Sequence, residues 1–363
     1  MNRNVLSRRA LVGVAVAALA LAGCGGGDDD SDTGTGTGTD ASAGASDYSS
    51  LSGELKASGA SFPDAYYQEV ITELKAAAPN LTVTYNAVGS GQGKKDFGAN
   101  LNDFAGTDST VKDTDGPAAG SYLYVPTVAA PITVSYNLSG VDKLQLSPDT
   151  LAKIFQTDIK NWNDPAIAAD NPGVTLPDKS ITVAHRSDGS GTTNNFTKFL
   201  VAAAPDTWKL KSGDTVDWPA STQGAEKNSG VAQLIKSADG GIGYVDYSDA
   251  KASGLSFAAI KNKDGQFVPA SLEGATAALN GATVKDDLTY DPLNAAGPTT
   301  YAITAPTYIL VRTTYTDAAK KDLVKGFVTY ILTEGQSLAP EVDFAPLPEE
   351  LKAKALAQLD KIQ

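Results

Sequence analysis

The sequence predicts an α/β fold, and three observations carry that prediction. Short β-branched runs alternate with stretches of helical period, glycine–hydroxyl loops sit where strands run into helices, and no repeat of fixed period crosses the chain. The 363 residues are enough for two domains, and a composition 42% hydrophobic and 20% charged supplies an ample core.

The chain opens on a segment outside that core. Arg3, Arg8 and Arg9 form a basic start, and residues 10–22 are an uninterrupted apolar run ending in Leu21-Ala22-Gly23-Cys24. The run is too short to span a bilayer as a stable helix, so residues 1–23 read as an export signal. "SRRALV" matches the twin-arginine pattern in part. Small residues immediately before Cys24 resemble the lipobox of bacterial lipoproteins, which implies acylation at Cys24 and an extracytoplasmic, membrane-anchored protein. Cys24 is the only cysteine, which excludes disulfides within the chain.

The stretch "GGGDDDSDTGTGTGTDASAGASDYSS" follows, with six aspartates, no Lys or Arg and no large aliphatic residue. It cannot bury enough apolar surface to fold, so residues 24–50 are expected to be a disordered tether. Loss of the three arginines with residues 1–23 takes the net charge from −13 to −16. That balance excludes nucleic acid as a partner, because phosphate-backbone binding needs a basic face. It leaves room for a small anion, held by local dipoles and one or two cations in a closed site.

From residue 51 the elements follow in order. "PDAYYQEVITELKAAA" (63–78) puts Tyr67, Val70, Leu74 and Ala78 on one helical face, and "LTVTYNAV" (81–88) alternates as a half-buried strand does. "YLYVPTVAAPITVSYNL", "SITVAHR", "GIGYVDY" and "YAITAPTYILVRTTY" are further strands; 148–157, 192–203, 228–238 and 317–335 are further helices. Residues 261–300, rich in Gly, Asn and Asp, read as a loop-heavy excursion.

Three strand–glycine–helix junctions stand out. At Ser58-Gly59-Ala60-Ser61-Phe62-Pro63, Ser61 occupies an N-cap position and Pro63 the first turn. The other two are Val88-Gly89-Ser90-Gly91-Gln92-Gly93 and Asp188-Gly189-Ser190-Gly191-Thr192. Each offers unpaired N–H groups, the positive end of a helix dipole and a hydroxyl, so three together would make an oxyanion pocket; each alone also serves as a plain helix cap.

Sharper motifs fail. The nucleotide P-loop would need glycine at Val88 and Ser or Thr at Lys95; Gly89, Gly91 and Gly93 give G-x-G-x-G, not the dinucleotide fingerprint. A hydrolase elbow would need glycine at Asp188 and Thr192. His185, the only histidine, reads as strand surface, and one His with one Cys builds no thiolate or imidazole metal cluster. No cofactor and no catalytic constellation is indicated.

"ASGASFPDAYYQEV", "YNAVGSGQGKKDF", "NDFAGTDS", "HRSDGSGTTNNFTKFL" and "GGIGYVDYSDA" occur in the order and approximate spacing of the PstS family, the phosphate-binding lipoproteins of high-affinity phosphate ABC importers. The resemblance runs from about residue 51 to the end. It implies a two-domain periplasmic-binding-protein (Venus-flytrap) clamp with two interdomain strand crossovers. Domain I would be residues 51–126 plus 304–363 and domain II residues 127–303, with crossovers near "VPTVAAPI" and "YAITAP". By motif, phosphate would be held by Ser61, Phe62, Ser90, Asp108, Arg186, Ser190, Gly191 and Thr192, with Asp188 fixing the Arg186 guanidinium. Ser61 replaces the family's common threonine, and "AGTD" its more usual "GASD". The resemblance further implies a monomer that binds rather than catalyses and that partners the permease subunits of a phosphate ABC transporter. The alternatives are a binder of another oxyanion (sulfate, molybdate, a phosphonate) and, behind it, a phosphatase-like enzyme on the same fold.

Overall fold

The computed structural model of the chain describes residues 47–112 and 114–363. The export signal, Cys24 and most of the tether lie outside them. The fold starts earlier than composition suggests. Tyr48, assigned to the tether, is buried, with its ring edge-on to Tyr330 at 5.1 Å and its hydroxyl donating to Glu334 at 2.8 Å.

The first third repeats a strand–helix unit: β1 (Gly53–Gly59), α1 (Asp64–Ala77), β2 (Leu81–Ala87), α2 (Ser90–Gly98) and β3 (Phe104–Thr107). α1 buries Tyr66, Tyr67, Val70 and Leu74, the stripe that its period predicts. β1 pairs parallel with both β2 and β3, as strands joined by helical crossovers do.

β4 (Tyr122–Asn137) is a 16-residue strand and almost wholly buried. Next come β5 (Gln145–Leu146), α3 (Pro148–Phe155), α4 (Pro165–Asp170), β6 (Thr182–Arg186), α5 (Gly191–Ala203), β7 (Gln223–Ala225), α6 (Lys227–Ser237), β8 (Gly241–Asp246) and α7 (Tyr247–Ala252). Three short strands follow, β9 (Ser256–Phe257), β10 (Ala259–Lys261) and β11 (Phe267–Val268), and then α8 (Leu272–Asn280). The stretch read as loop-heavy thus contains a helix. Ser271 caps it, its Oγ accepting from Gly274 N–H at 3.0 Å, and Glu273 favours the first turn. The chain closes with β12 (Thr304–Arg312), α9 (Ala318–Leu332), β13 (Ala345–Pro346) and α10 (Glu349–Gln358).

Among the described residues, ten strands join one sheet in the order β2-β1-β3-β12-β4-β8-β6-β7, with β13 and β9 also on β4. The mixed α/β class is as predicted. β4 changes partners midway: Tyr122 to Pro131 pair with β12, and Ile132 to Asn137 pair with β8. One large apolar cluster fills the interior, and a smaller one (Val231, Ile235, Val245 and neighbours) lies between α6, α7 and β8. No helix among the described residues is long and apolar enough to cross a membrane.

Candidate functional site

The strand ends deliver the site. β1 stops at Gly59, and the chain turns through Ser61 and Phe62 before α1. Ser61 does not cap that helix. Pro63 stands at the cap position with no side-chain hydrogen bond, so the Ser61 hydroxyl is free for other work. Its Oγ accepts from the backbone N–H of Asn228 at 3.4 Å and from Asn228 Nδ2 at 3.3 Å. Phe62 is held by its ring, which meets Phe344 edge-on at 5.9 Å, and this fixes the backbone amide beside Ser61.

Gly89, at φ +91°, leads into α2. A side chain there would be strained, and its Cβ would lie 2.6 Å from an Asp188 carboxylate oxygen. Ser90, fully buried, begins the helix. Its Oγ accepts from Asp108 N–H at 3.2 Å and donates to Asp108 Oδ2 at 3.3 Å. Asp108 follows β3 directly and is 3% exposed. Thr307 on β12 donates to its Oδ1 at 2.7 Å, and Asn195 Nδ2 donates to its backbone carbonyl at 2.6 Å. Burial pushes the Asp108 carboxyl up to about 7; Thr307, the Arg186 charge and Ser90 pull it back, and Asp214 adds to the rise.

Arg186 ends β6, its backbone N–H donating to the Tyr244 hydroxyl at 3.0 Å. Its Nε donates to Asp188 Oδ1 at 2.7 Å and its Nη2 to Asp188 Oδ2, a bidentate pair that fixes the guanidinium and leaves Nη1 outside it. Lys227 N–H also donates to Asp188 Oδ1, at 3.2 Å. Ser190 does cap its helix, α5, accepting from Thr193 N–H at 3.1 Å, while its own N–H donates to the Asp214 carbonyl at 2.9 Å. Gly191 is required by proximity: a Cβ there would lie 2.6 Å from Asp108 Cβ and from Ser90 Oγ. The Gly91 N–H donates to the Gly189 carbonyl at 2.9 Å. Thr192 is fully buried, its Oγ1 accepting from Asn228 Nδ2 at 3.2 Å.

The residues singled out in the sequence therefore meet. Ser90, Asp108 and Gly191 touch, Arg186 and Asp188 pair across from Gly89, and Asn228 joins Ser61 to Thr192. His185 is half-buried, stacked on Trp218 at 5.0 Å with Nδ1 2.9 Å from the Arg186 carbonyl, and burial lowers its pKa.

Sequence reasoning missed three contributors. Thr307 lies in a β-branched run where nothing marks one threonine from another. Asn228 carried a weak signal, a small amide in the first turn of a helix. Lys94 lies in a glycine-rich helix, and nothing in its local sequence marks it as buried. It is fully buried, its Nζ 2.8 Å from Asp214 Oδ2, 3.0 Å from Asp115 Oδ2 and donating to Ser109 Oγ at 3.2 Å.

The fold and the site define a ligand-binding clamp of the periplasmic-binding-protein type. A family model described as the PBP superfamily domain matches residues 34–334. Phosphate-binding protein PstS of Pasteurella multocida is 37% identical over 309 residues, 83% of this chain and 88% of that protein. Phosphate-binding protein PstS 3 of Mycobacterium leprae is 34% identical over 312 residues, 83% of this chain and 84% of that protein. The chain belongs to the PstS family of phosphate-binding proteins. Among solved structures, a high-affinity periplasmic phosphate-binding protein bound with phosphate superposes with a TM-score of 0.69 at 24% identity, over 84% of this chain and 93% of that one. The phosphate-binding protein of Stenotrophomonas maltophilia gives 0.65 at 21% identity, over 84% of this chain and 94% of that one. At these identities the likeness concerns the fold.

Proposed function

We propose that the chain captures inorganic phosphate between its two domains and delivers it to the membrane subunits of a phosphate ABC importer. Arg186 supplies the fixed cation. Ser61, Ser90, Ser190 and Thr192 supply hydroxyls, and the amides of Phe62, Gly191 and Thr192 supply N–H donors at helix starts. Such a site suits a tetrahedral oxyanion and works by binding, not by catalysis.

The observation that carries the reading is Asp108, a buried carboxylate set among donors. An ionised carboxylate can only accept, so it needs a ligand that brings a proton. Hydrogen phosphate does, whereas sulfate at neutral pH does not. With the Asp108 carboxyl pushed up to about 7, ligand and carboxyl share one proton near neutrality. Discrimination follows from the cost of two acceptors left face to face in a buried site. Sulfate or molybdate would leave Asp108 unexplained.

The partner change along β4, between Pro131 and Ile132, supports a division in which residues 51–126 and 304–363 form domain I and 127–303 form domain II. β4 and β12 are then the crossovers about which the cleft closes. The apolar start and Cys24 support a lipid-anchored protein on the outer face of the cell membrane. Isothermal titration of phosphate-stripped protein tests the assignment. One saturable phosphate site with no sulfate heat is expected; equal competition by sulfate, or no phosphate heat, refutes it.

A further inference from the structure

α6 begins with Lys227 in the left-handed region (φ 63°), and the residue after it, Asn228, is fully buried. Two of its donors, the backbone N–H and Nδ2, converge on Ser61 Oγ at 3.4 and 3.3 Å. Nδ2 also reaches Thr192 Oγ1 at 3.2 Å. Ser61 precedes α1 and Thr192 sits in the first turn of α5, so one amide spans hydroxyls from two helix starts.

A hydroxyl has one proton and two lone pairs. Two donors on Ser61 Oγ fill both lone pairs, and its proton is left for a further acceptor. Thr192 Oγ1 is likewise turned into an acceptor toward Asn228, which aims its proton elsewhere. We propose that Asn228 is a positioning residue of the anion site, fixing the Ser61 and Thr192 hydroxyls as donors toward the bound phosphate. The inference rests on the phosphate reading above and adds a residue that the strand–glycine–helix junctions do not contain. The chemistry requires a donor at this position. A carboxylate of the same shape would draw both hydroxyl protons to itself and place a negative charge beside the anion.

The test is phosphate titration of Asn228→Ala and Asn228→Asp beside the wild type, at pH 8 and pH 5, with thermal midpoints of the phosphate-free proteins. Asn228→Ala should bind about tenfold more weakly than the wild type at both pH values. Asn228→Asp should lose about a hundredfold at pH 8 and recover to within about tenfold of the wild type at pH 5, where a protonated carboxyl donates again. Ser61→Ala combined with Asn228→Ala should cost little more than Ser61→Ala alone. Asn228→Ala within twofold of the wild type, or an Asn228→Asp deficit equal at the two pH values, overturns the proposal. A wild type that binds no phosphate refutes the functional reading instead.

Discussion

Replacing Asp108 by Asn separates the charge of this residue from its shape. Burial pushes the carboxyl up to about 7 from its ordinary 3.8, outweighing the help from Thr307, Arg186 and Ser90. That displacement corresponds to about 4 kcal/mol held against the ionised form. The sign is definite. A carboxyl raised above its unfolded value favours the folded state while protonated, and that advantage disappears as pH climbs from about 4 through about 7. Asparagine does not titrate. It forfeits part of the charge-assisted bonds from Thr307 and Ser90, about 1 kcal/mol each, so a net gain of about 2 kcal/mol is left above pH 8 and none at pH 4. For a chain of this size that is a rise of about 4 °C in the thermal midpoint at pH 8.5, shrinking to nothing in acid. Above pH 8, where the Asp108 carboxyl is ionised, the same substitution puts an N–H where sulfate met only an acceptor. Removing about 3 kcal/mol of that mismatch should narrow the phosphate-to-sulfate ratio by about a hundredfold. Scanning calorimetry of phosphate-stripped protein from pH 4 to 9, with competition titrations of the two anions, reads both effects. Parallel pH profiles for wild type and variant, together with an unchanged anion ratio, would refute the assignment of Asp108 as the group that senses the ligand's proton.

Arg186→Ala should weaken phosphate and sulfate together, by about a hundredfold or more in titration, since it removes the shared cation and strands Asp188. A loss confined to one anion would count against it. Gly191→Ala places a Cβ 2.6 Å from Asp108 Cβ and Ser90 Oγ, so phosphate affinity should fall tenfold to a hundredfold while the phosphate-free midpoint barely moves. Wild-type affinity in that variant would mean that the contact is dispensable. Cys24→Ala should appear in the culture medium or remain unprocessed; retention in the membrane with normal gel mobility would overturn the lipid anchor.

Much of the scaffold was legible because period and turn chemistry act locally. α1, α3, α5, α6 and α9, and strands β2, β4, β6, β8 and β12, each carry their own signal. α8 did not, because "SLEGATAALN" is short and Gly-containing within a stretch of turn residues, and only its Ser271 cap betrays it. The site divides the same way. Residues at the glycine junctions announce themselves, whereas Thr307 and Asn228 act through contacts 199 and 167 positions away, which no local pattern encodes. Ser61 shows the opposite failure. It fits a cap by sequence, yet the helix starts at Asp64 and the hydroxyl turns to Asn228. Tyr48 was misassigned because composition averages over a window, while burial is decided by one ring against Tyr330.

The buried ion pair between Lys94 on α2 and Asp214, in the segment between α5 and β7, bears on how the cleft shuts. In the proposed clamp, opening would return Asp214 to water while Lys94 keeps Asp115 Oδ2 at 3.0 Å and Ser109 Oγ at 3.2 Å, so a pair of this kind comes close to breaking even. It therefore does little to decide whether the clamp is open or shut, and that choice is left to the anion. In that clamp a partial or slipped closure would strip Asp214 of water without bringing it to Lys94, at a cost of several kcal/mol. Ser190 N–H bonds the carbonyl of this same Asp214, so misregistry there would also pull a proposed phosphate donor out of line. On the proposed clamp reading, the contact would work as a checkpoint on alignment, making the shut state one defined shape rather than a range of near misses.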